Sequence, residues 1–433
     1  MKNWIKGYSL PRVQITTGDS HAIDAFGRFR VSNPVTLFDS KNIYDDPDLA
    51  NTVENQPLFY DNQELTGGGT STTYNTNQAS QSISVSASTA GWRARQTKMR
   101  FNYQPGKSQL ILMTFRFSTA SDTGIILREG SFDENDGLFF SVKSGTPCFV
   151  RRTKTSGSVV DNEYNQSSWN IDRLDGSGGC YNPSGLKLDF TKAQILAMDM
   201  EWLGVGRIRY GFIIDGILYY AHEVPSYNAH IYPHISTPNL PLRSEIINLG
   251  TGGAATLTQI CSTVISEGAS ADLGKNRYAS TNGTHVDCAT ENTIYAIIGM
   301  RLKSAYIGAS IDMIEANMQL QTASHRCEWM MLLNPVVTGT FTYANETYSA
   351  VQVARASGAG PTVTGGFKIA GGYVESGGAP SGSAGSISSQ VPNALRLGSL
   401  IDGTADTLVL CARPIGGSTD VDVEGALFWK ELL

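Results

Sequence analysis

The sequence predicts a mainly β protein built as a sandwich, and three observations predict it. Short runs alternate apolar and polar side chains: "TKMRFNY" puts Met99, Phe101 and Tyr103 on one face and Lys98, Arg100 and Asn102 on the other, the period of two of a half-buried strand. Glycine, asparagine and aspartate separate these runs, and glycine alone supplies 45 of the 433 residues, as many tight turns require. Asp215-Gly216 stands between two β-rich runs in "YGFIIDGILYYAH", and Asp-Gly suits the positive φ angles of a type I′ hairpin.

Residues 1–90 read as an extended arm and linker. "NQELTGGGTSTTYNTNQASQSISVSAS" has few large apolar groups and cannot build a core alone; its end, "QSISVSAS", alternates like an edge strand. Residues 91–330 read as the main sandwich. "SQLILMTFRF" is apolar on both sides at its start, which predicts a central strand covered on two faces. "TGIILREG", "DGLFFSVKSG" and "PCFVRRTK" follow as strands. "LDFTKAQILAMDM" allows one helical turn capped by Asp189 or Thr191. The prolines of "HIYPHISTPNLPLRSEIIN" place loops before a strand. "TIYAIIGMRLKSAYIGASIDMIEANMQLQ" suits strands of a second layer. Residues 331–433 read as a smaller C-terminal β-sandwich or β-barrel module, with a flexible loop over 376–390 and closing strands "TLVLCARPI" and "ALFWKELL".

Composition narrows the function classes. The formal net charge is −6 and only 17% of residues are charged. Such a chain has no general attraction for nucleic acid or anionic membranes. No run approaches the roughly 18–20 apolar residues of a membrane span, and "MKNWIKGYSLPRV" lacks the apolar core of a signal peptide. Cys148, Cys180, Cys261, Cys288, Cys327 and Cys411 form no CxxC pair. They read as free thiols of a protein made in a reducing cytoplasm, without a structural zinc site.

The chemical candidates each have a plainer reading. Gly106-Lys107-Ser108 matches the end of a phosphate-binding loop, but Phe101 stands where the first glycine belongs, and a β-rich run follows where a helix is required. Pro105-Gly106 instead fits the centre of a type II turn. Asp133, Glu134 and Asp136 gather on a turn, as calcium ligands do, but Gly137 occupies a ligand position of the calcium-loop pattern, so a solvated hairpin turn is expected. His222, His230 and His234 lack the spacing of a helical zinc site. Asp199, Glu201 and Glu223 are the carboxylates available for glycoside hydrolysis, and pairing with Arg207 or Arg209 is the expectation for them. Trp92, Trp169, Trp202, Tyr219 and Tyr220 suit sugar stacking or, more simply, core and interface packing. No residue is assigned a catalytic, cofactor or metal role.

Three segments carry a family resemblance. "AFGRFRVSNPVTLFDSKNIYD" (Ala25 to Asp45) is similar to a leader found in virion structural proteins of tailed bacteriophages. "RFNYQPGKSQLILMTF" and "MDMEWLGVGRIRYGFIIDGILYYAHEV" followed by "STPNLPLRSEI" resemble recurrent segments of the same proteins. The resemblance covers roughly residues 22–250. It implies a concanavalin A/laminin-G-like jelly roll with an extended arm, and a structural role without catalysis. The expected place is the tail (sheath, baseplate or fibre attachment), in a particle assembled in the bacterial cytoplasm. The expected partners are further copies in a three- or six-fold homo-oligomer, other virion proteins, and a host-surface glycan or receptor, with no nucleic acid and no membrane insertion. A capsid decoration or head-fibre protein, or a carbohydrate-binding or polysaccharide-degrading protein, are the alternatives.

Overall fold

A computed structural model describes residues 34–43, 59–201, 203–268, 274–376 and 396–432, with the backbone of the short strands Ala22–Ile23, Phe29–Arg30 and Gly385–Ser388. The described chain is built from strands, with a few 3-10 turns between them. It forms two sandwiches, each with its own apolar core.

The first sandwich is a jelly roll of two antiparallel sheets. Its seven-stranded sheet runs Val160–Asn165, Thr146–Thr153, Gly137–Lys143, Ile125–Phe132, Leu242–Asn248, Gly91–Thr97, Tyr60–Gly67. Its second sheet runs Ile217–Glu223, Ile208–Ile214, Gln194–Met200, Gln109–Phe117, Ala255–Ser266, Ser80–Val85, Thr70–Asn75, and Val35–Ser40 joins it as an eighth strand beside Ala255–Ser266. Strand neighbours far apart in sequence force the chain to cross between sheets, as Leu242–Asn248 does between Ile125–Phe132 and Gly91–Thr97. Inward side chains from both layers make an aromatic core: Phe140 touches Phe115, Phe117, Phe149, Phe190 and Phe212 with ring centroids 4.7–6.0 Å apart. Such tilted and edge-on pairs add attraction beyond their buried area.

The second sandwich pairs a six-stranded sheet built around Val421–Leu432 with an eight-stranded sheet built around Tyr295–Leu302, Thr407–Ile415 and Arg326–Leu333. The two sandwiches meet where Ile401 N donates to Asp61 Oδ2 at 2.8 Å and Ser399 N donates to Lys98 O at 3.1 Å. Gly398 sits so close that a Cβ there would lie 2.3 Å from the Lys98 carbonyl oxygen, so only glycine fits this contact.

Several expectations are met. Asp215 and Gly216 both have positive φ, +50° and +79°, and Ile214 pairs with Ile217 across them. Met99, Phe101 and Tyr103 are buried, although the segment makes only one isolated bridge, Phe101 to Leu240. Other expectations are corrected. The arm does not extend to 90: Tyr60–Gly67 enters one sheet, and Thr70–Asn75 with Ser80–Val85 enters the other. These strands near the sheet margins need few large side chains, and Tyr60, Ile83 and Val85 supply them. Ser80–Val85 is not itself the edge; Thr70–Asn75 is. The boundary near 330 is also displaced, because Tyr295–Leu302 pairs with Thr407–Ile415 and the second sandwich already begins at Lys275. Residues 188–193 make no helical turn. Asp189 Oδ1 instead accepts from Thr191 N at 2.9 Å, an Asx turn, and a strand starts at Gln194. Within 376–390, Gly385–Ser388 pairs as a strand with Ser310–Leu320, which corrects the loop expected there; the rest of that span after residue 376, and most of the arm before residue 59, lie outside the described residues.

Candidate interaction surface

The outer faces of the first sandwich differ in kind. On the seven-stranded sheet the outward side chains are a small buried apolar cluster, Phe132, Phe139, Cys148 and Val150, covered by paired charges. Glu245 accepts from Arg128 Nη1 at 2.9 Å and from Arg243 Nε at 2.6 Å. Arg152 grips both oxygens of Asp161, at 2.8 and 3.0 Å, and lies 5.2 Å from the centroid of Phe139. Burial by itself would raise the Glu245 carboxyl, but Arg243 and Arg128 outweigh it and hold it below the ordinary range. This face closes on itself.

The other sheet presents hydrocarbon. Register places Leu110 beside Ile265, Leu112 beside Ala197, Ile195 beside Ile213, and Ile213 beside Leu218. These six aliphatic residues (Leu110, Leu112, Ile195, Ile213, Leu218 and Ile265) are all half-buried. They alternate with fully buried Ile111, Met113, Leu196, Phe212 and Val264 on the core side. Gln109–Phe117 is therefore central, as its two-sided apolar pattern predicts, but its outer face is not closed over by the described residues. Thr114 and Thr263 stand among these residues in register; an outer face this rich in half-buried hydrocarbon is a candidate interaction site.

A polar row borders this face. Asp199 stands opposite Leu110 in register, and its Oδ2 accepts from Tyr220 Oη at 2.9 Å and from Arg209 Nη2. The Arg209 guanidinium lies 3.8 Å over the Tyr220 ring, and Glu223 is opposite Arg209 in register. Glu201 accepts from Arg207 Nη2 at 3.2 Å. Asp199 and Glu201 each serve their own arginine, as expected from the sequence.

Beyond the row, two loops project from the end of the sandwich. His234 N donates to Gly204 O at 2.7 Å. His234 Nε2 donates to Gly206 O at 2.6 Å, so Nδ1 is the bare nitrogen that accepts from Arg151 Nη1 at 3.0 Å. The His230 ring packs edge-on to His234, 4.5 Å away, and its Nε2 lies 3.2 Å from Pro225 O. Burial lowers His234 to about 4 and also lowers His230, with the Arg151 charge acting in the same direction on both. His230 and His234 thus brace the loops that expose Leu203, Val205, Tyr227, Ile231 and Tyr232; Tyr227 is 92% and Ile231 88% exposed. Leu203 is held at φ +34°, a region bulky residues avoid. Trp202 lies outside the described residues.

The remaining sequence candidates serve the fold. Lys107 N donates to Gln104 O at 3.1 Å with Gly106 at φ +84°, the type II turn expected, and a strand follows. Asp133 is bound by Arg100 at 2.6 Å and accepts from Asn135 N and Asp136 N; Asp136 accepts from Ser236 N at 2.7 Å. Glu134 is exposed. Trp169 is buried and stacks on Phe149 at 4.4 Å, Tyr219 packs on the core, and Trp92 is half-buried. His222 stands apart from the other two histidines. It is buried against Tyr164 at 4.5 Å with neither ring nitrogen partnered. All six cysteines are free, and among the described residues no group of three His, Cys, Asp or Glu is placed to hold a metal.

Sequence reasoning missed a polar knot between the sheets. Arg95, almost wholly buried, donates to Gln259 Oε1 at 2.9 Å, Asn62 Oδ1 at 3.1 Å and Asn42 Oδ1 at 3.3 Å, and sits 4.0 Å over the Tyr60 ring. Glu129 also points inward, 0% exposed, and neither carboxyl oxygen makes a hydrogen bond. Period-two alternation marks these residues as inward, but no local signal pairs strands so far apart in sequence.

No protein-family model matches this chain, and no curated protein matches its sequence. Among the solved structures that align with about half of it are a glucanase, a carbohydrate recognition domain and a phage module. A Bacillus licheniformis β-glucanase matches at 9% identity and TM-score 0.34, covering 54% of this chain and 99% of its own. The carbohydrate recognition domain of Emp47p matches at 10% and 0.31, covering 55% and 99%. The CBM2 module of the evolved Dit of Lactobacillus casei phage J-1 matches at 6% and 0.32, covering 55% and 99%. Likeness of this order says nothing of chemistry. The jelly-roll sandwich rests on the strand order and register given above.

Proposed function

We propose that this chain is a structural component of a tailed-phage virion, placed in the tail, that works by assembly and surface contact rather than by catalysis. The observation that carries the assembly half of this reading is the outer face built from Leu110, Leu112, Ile195, Ile213, Leu218 and Ile265. Burying such side chains in a neighbour yields on the order of 1 kcal/mol each, and Asp199, Arg209 and Glu223 at its border supply the polar rim of a specific interface. The partner is a second copy of this chain in a three- or six-fold ring, with other virion proteins beside it. The braced loop end, with Tyr227, Ile231 and Tyr232 in solvent, contacts the host surface or the next virion protein. The paired state of Asp199 and Glu201 supports the non-enzymatic reading.

The virion assignment itself comes from the resemblance of Ala25 to Asp45 and the later segments to tailed-phage structural proteins. Antibody-gold labelling of intact particles tests it: label at the tail is the expected result. Label confined to the head would make this a decoration protein, and unlabelled particles would remove the virion reading.

A further inference from the structure

A second exposed aromatic is presented by the other sandwich. Tyr348 is 89% exposed and has φ +57°, a backbone conformation rare for a bulky L residue. Its loop joins Tyr343–Asn345 to Val351–Arg355 and is fastened from several sides. Lys303 Nζ donates to Glu346 O at 2.8 Å and to Ser349 O at 2.7 Å. Arg277 Nη2 donates to the carbonyl of Tyr348 itself at 2.6 Å. The buried Glu431 carboxylate accepts from Ala350 N at 3.1 Å and from Ser349 Oγ, and is itself held by Trp429 Nε1 at 2.9 Å. Arg355 ties down Glu346 at 2.7 Å. Four of these bonds, from Lys303 (two), Arg277 and Glu431, hold the loop backbone directly, while the Tyr348 ring stands in water. Outliers of this sort persist only where the surroundings over-determine them, and they cluster at ligand contacts.

The setting of the ring identifies the ligand class. Tyr306, 50% exposed, follows three residues after Lys303, whose Nζ is 6.0 Å from its ring centroid. Lys275 is exposed two residues before Arg277 on the same strand. Around the tip, four cations (Lys275, Arg277, Lys303, Arg355) face two carboxylates (Glu346, Glu431) in a chain whose formal net charge is −6. A protein hot spot is ringed by apolar contacts that exclude water. Two exposed rings among cations, Tyr348 and Tyr306, instead suit a sugar face stacked on an aromatic, with acid groups of the sugar chain drawn to the cations.

We infer that the Tyr348 loop, with Tyr306 and the cations Lys275, Arg277 and Lys303, is a preorganised binding site for an acidic polysaccharide. The inference stands on the second sandwich alone and does not require the virion reading. Affinity electrophoresis of the full chain through gels containing alginate, with neutral dextran as control, tests it. The native protein is retarded by alginate and not by dextran. Tyr348→Ala weakens retardation by about tenfold. Tyr348→Gly weakens it equally while keeping or raising the thermal midpoint, because glycine accepts the positive φ without strain. Equal retardation of all three proteins, equal retardation by dextran, or none at all overturns the inference. So does normal alginate binding by a Tyr348→Ala protein that no longer assembles.

Discussion

The guanidinium of Arg151 lies 3.0 Å from Nδ1 of His234, whose Nε2 lies 2.6 Å from the carbonyl of Gly206. One neutral imidazole therefore bridges the strand Thr146–Thr153 and the loop ahead of Ile208. Protonation would destroy its acceptor and set a cation beside Arg151. Burial, with Arg151 and His230 adding to it, lowers the folded pKa of His234 to about 4 from an ordinary 6.5. The stabilising contribution is then complete above 6.5 and is lost as pH falls toward 4. His234→Gln should lower the thermal midpoint at pH 8 and show a shallower loss between pH 6.5 and 4, measured by circular dichroism.

His222 titrates in the same direction for a simpler reason. Burial alone pushes it down to about 4, and nothing bonds to either nitrogen. His222→Phe keeps the ring against Tyr164 and removes two unsatisfied polar atoms. A gain of about 1 kcal/mol is expected at pH 8 in urea denaturation, with a larger gain at pH 5. A loss at both pH values would show that the imidazole has a bonding role in solution.

Glu129 has the opposite sign. Burial raises its carboxyl to about 8, against the opposing pull of the Arg95 charge. The folded pKa exceeds the ordinary 4.5, so its contribution is complete below 4.5 and is lost as pH rises through 8. Glu129→Gln should therefore gain stability over the native protein at pH 9 and gain much less at pH 4. Equal differences at the two pH values would mean that folding does not shift the carboxyl's pKa.

The Gly106 turn separates two readings of one motif. Gly106 is at φ +84° with open space around a hypothetical Cβ, so Gly106→Ala carries only backbone strain, about 1 kcal/mol. Added ATP should leave the thermal midpoint of both proteins unchanged. A nucleotide-dependent rise lost in the variant would restore phosphate binding.

What the sequence made legible was local. Period-two runs, the Asp215-Gly216 hairpin and the Pro105-Gly106 turn depend on neighbours in the chain, and the structure has them. Strand pairing is not local. Nothing within "TIYAIIGMRL" distinguishes a partner in the first sandwich from Thr407–Ile415, so the boundary between sandwiches fell in the wrong place. The same limit hid Arg95, whose partners Asn42, Asn62 and Gln259 come from two separate strands and a loop edge. The candidate surface was half legible: the two-sided apolar pattern of "SQLILMTFRF" marks a central strand, but a covered face and a face awaiting a partner have the same sequence signature.

Sedimentation velocity of the native chain beside a Leu112→Lys/Ile213→Lys variant tests the assembly claim most directly. Both substitutions lie on the half-buried outer face and leave the core side chains Ile111, Met113 and Phe212 in place. The account predicts a closed oligomer of the 46.6 kDa chain that becomes a folded monomer in the variant, with little change in thermal midpoint. A native protein that stays monomeric at high concentration, or a variant that assembles as the native chain does, would contradict it.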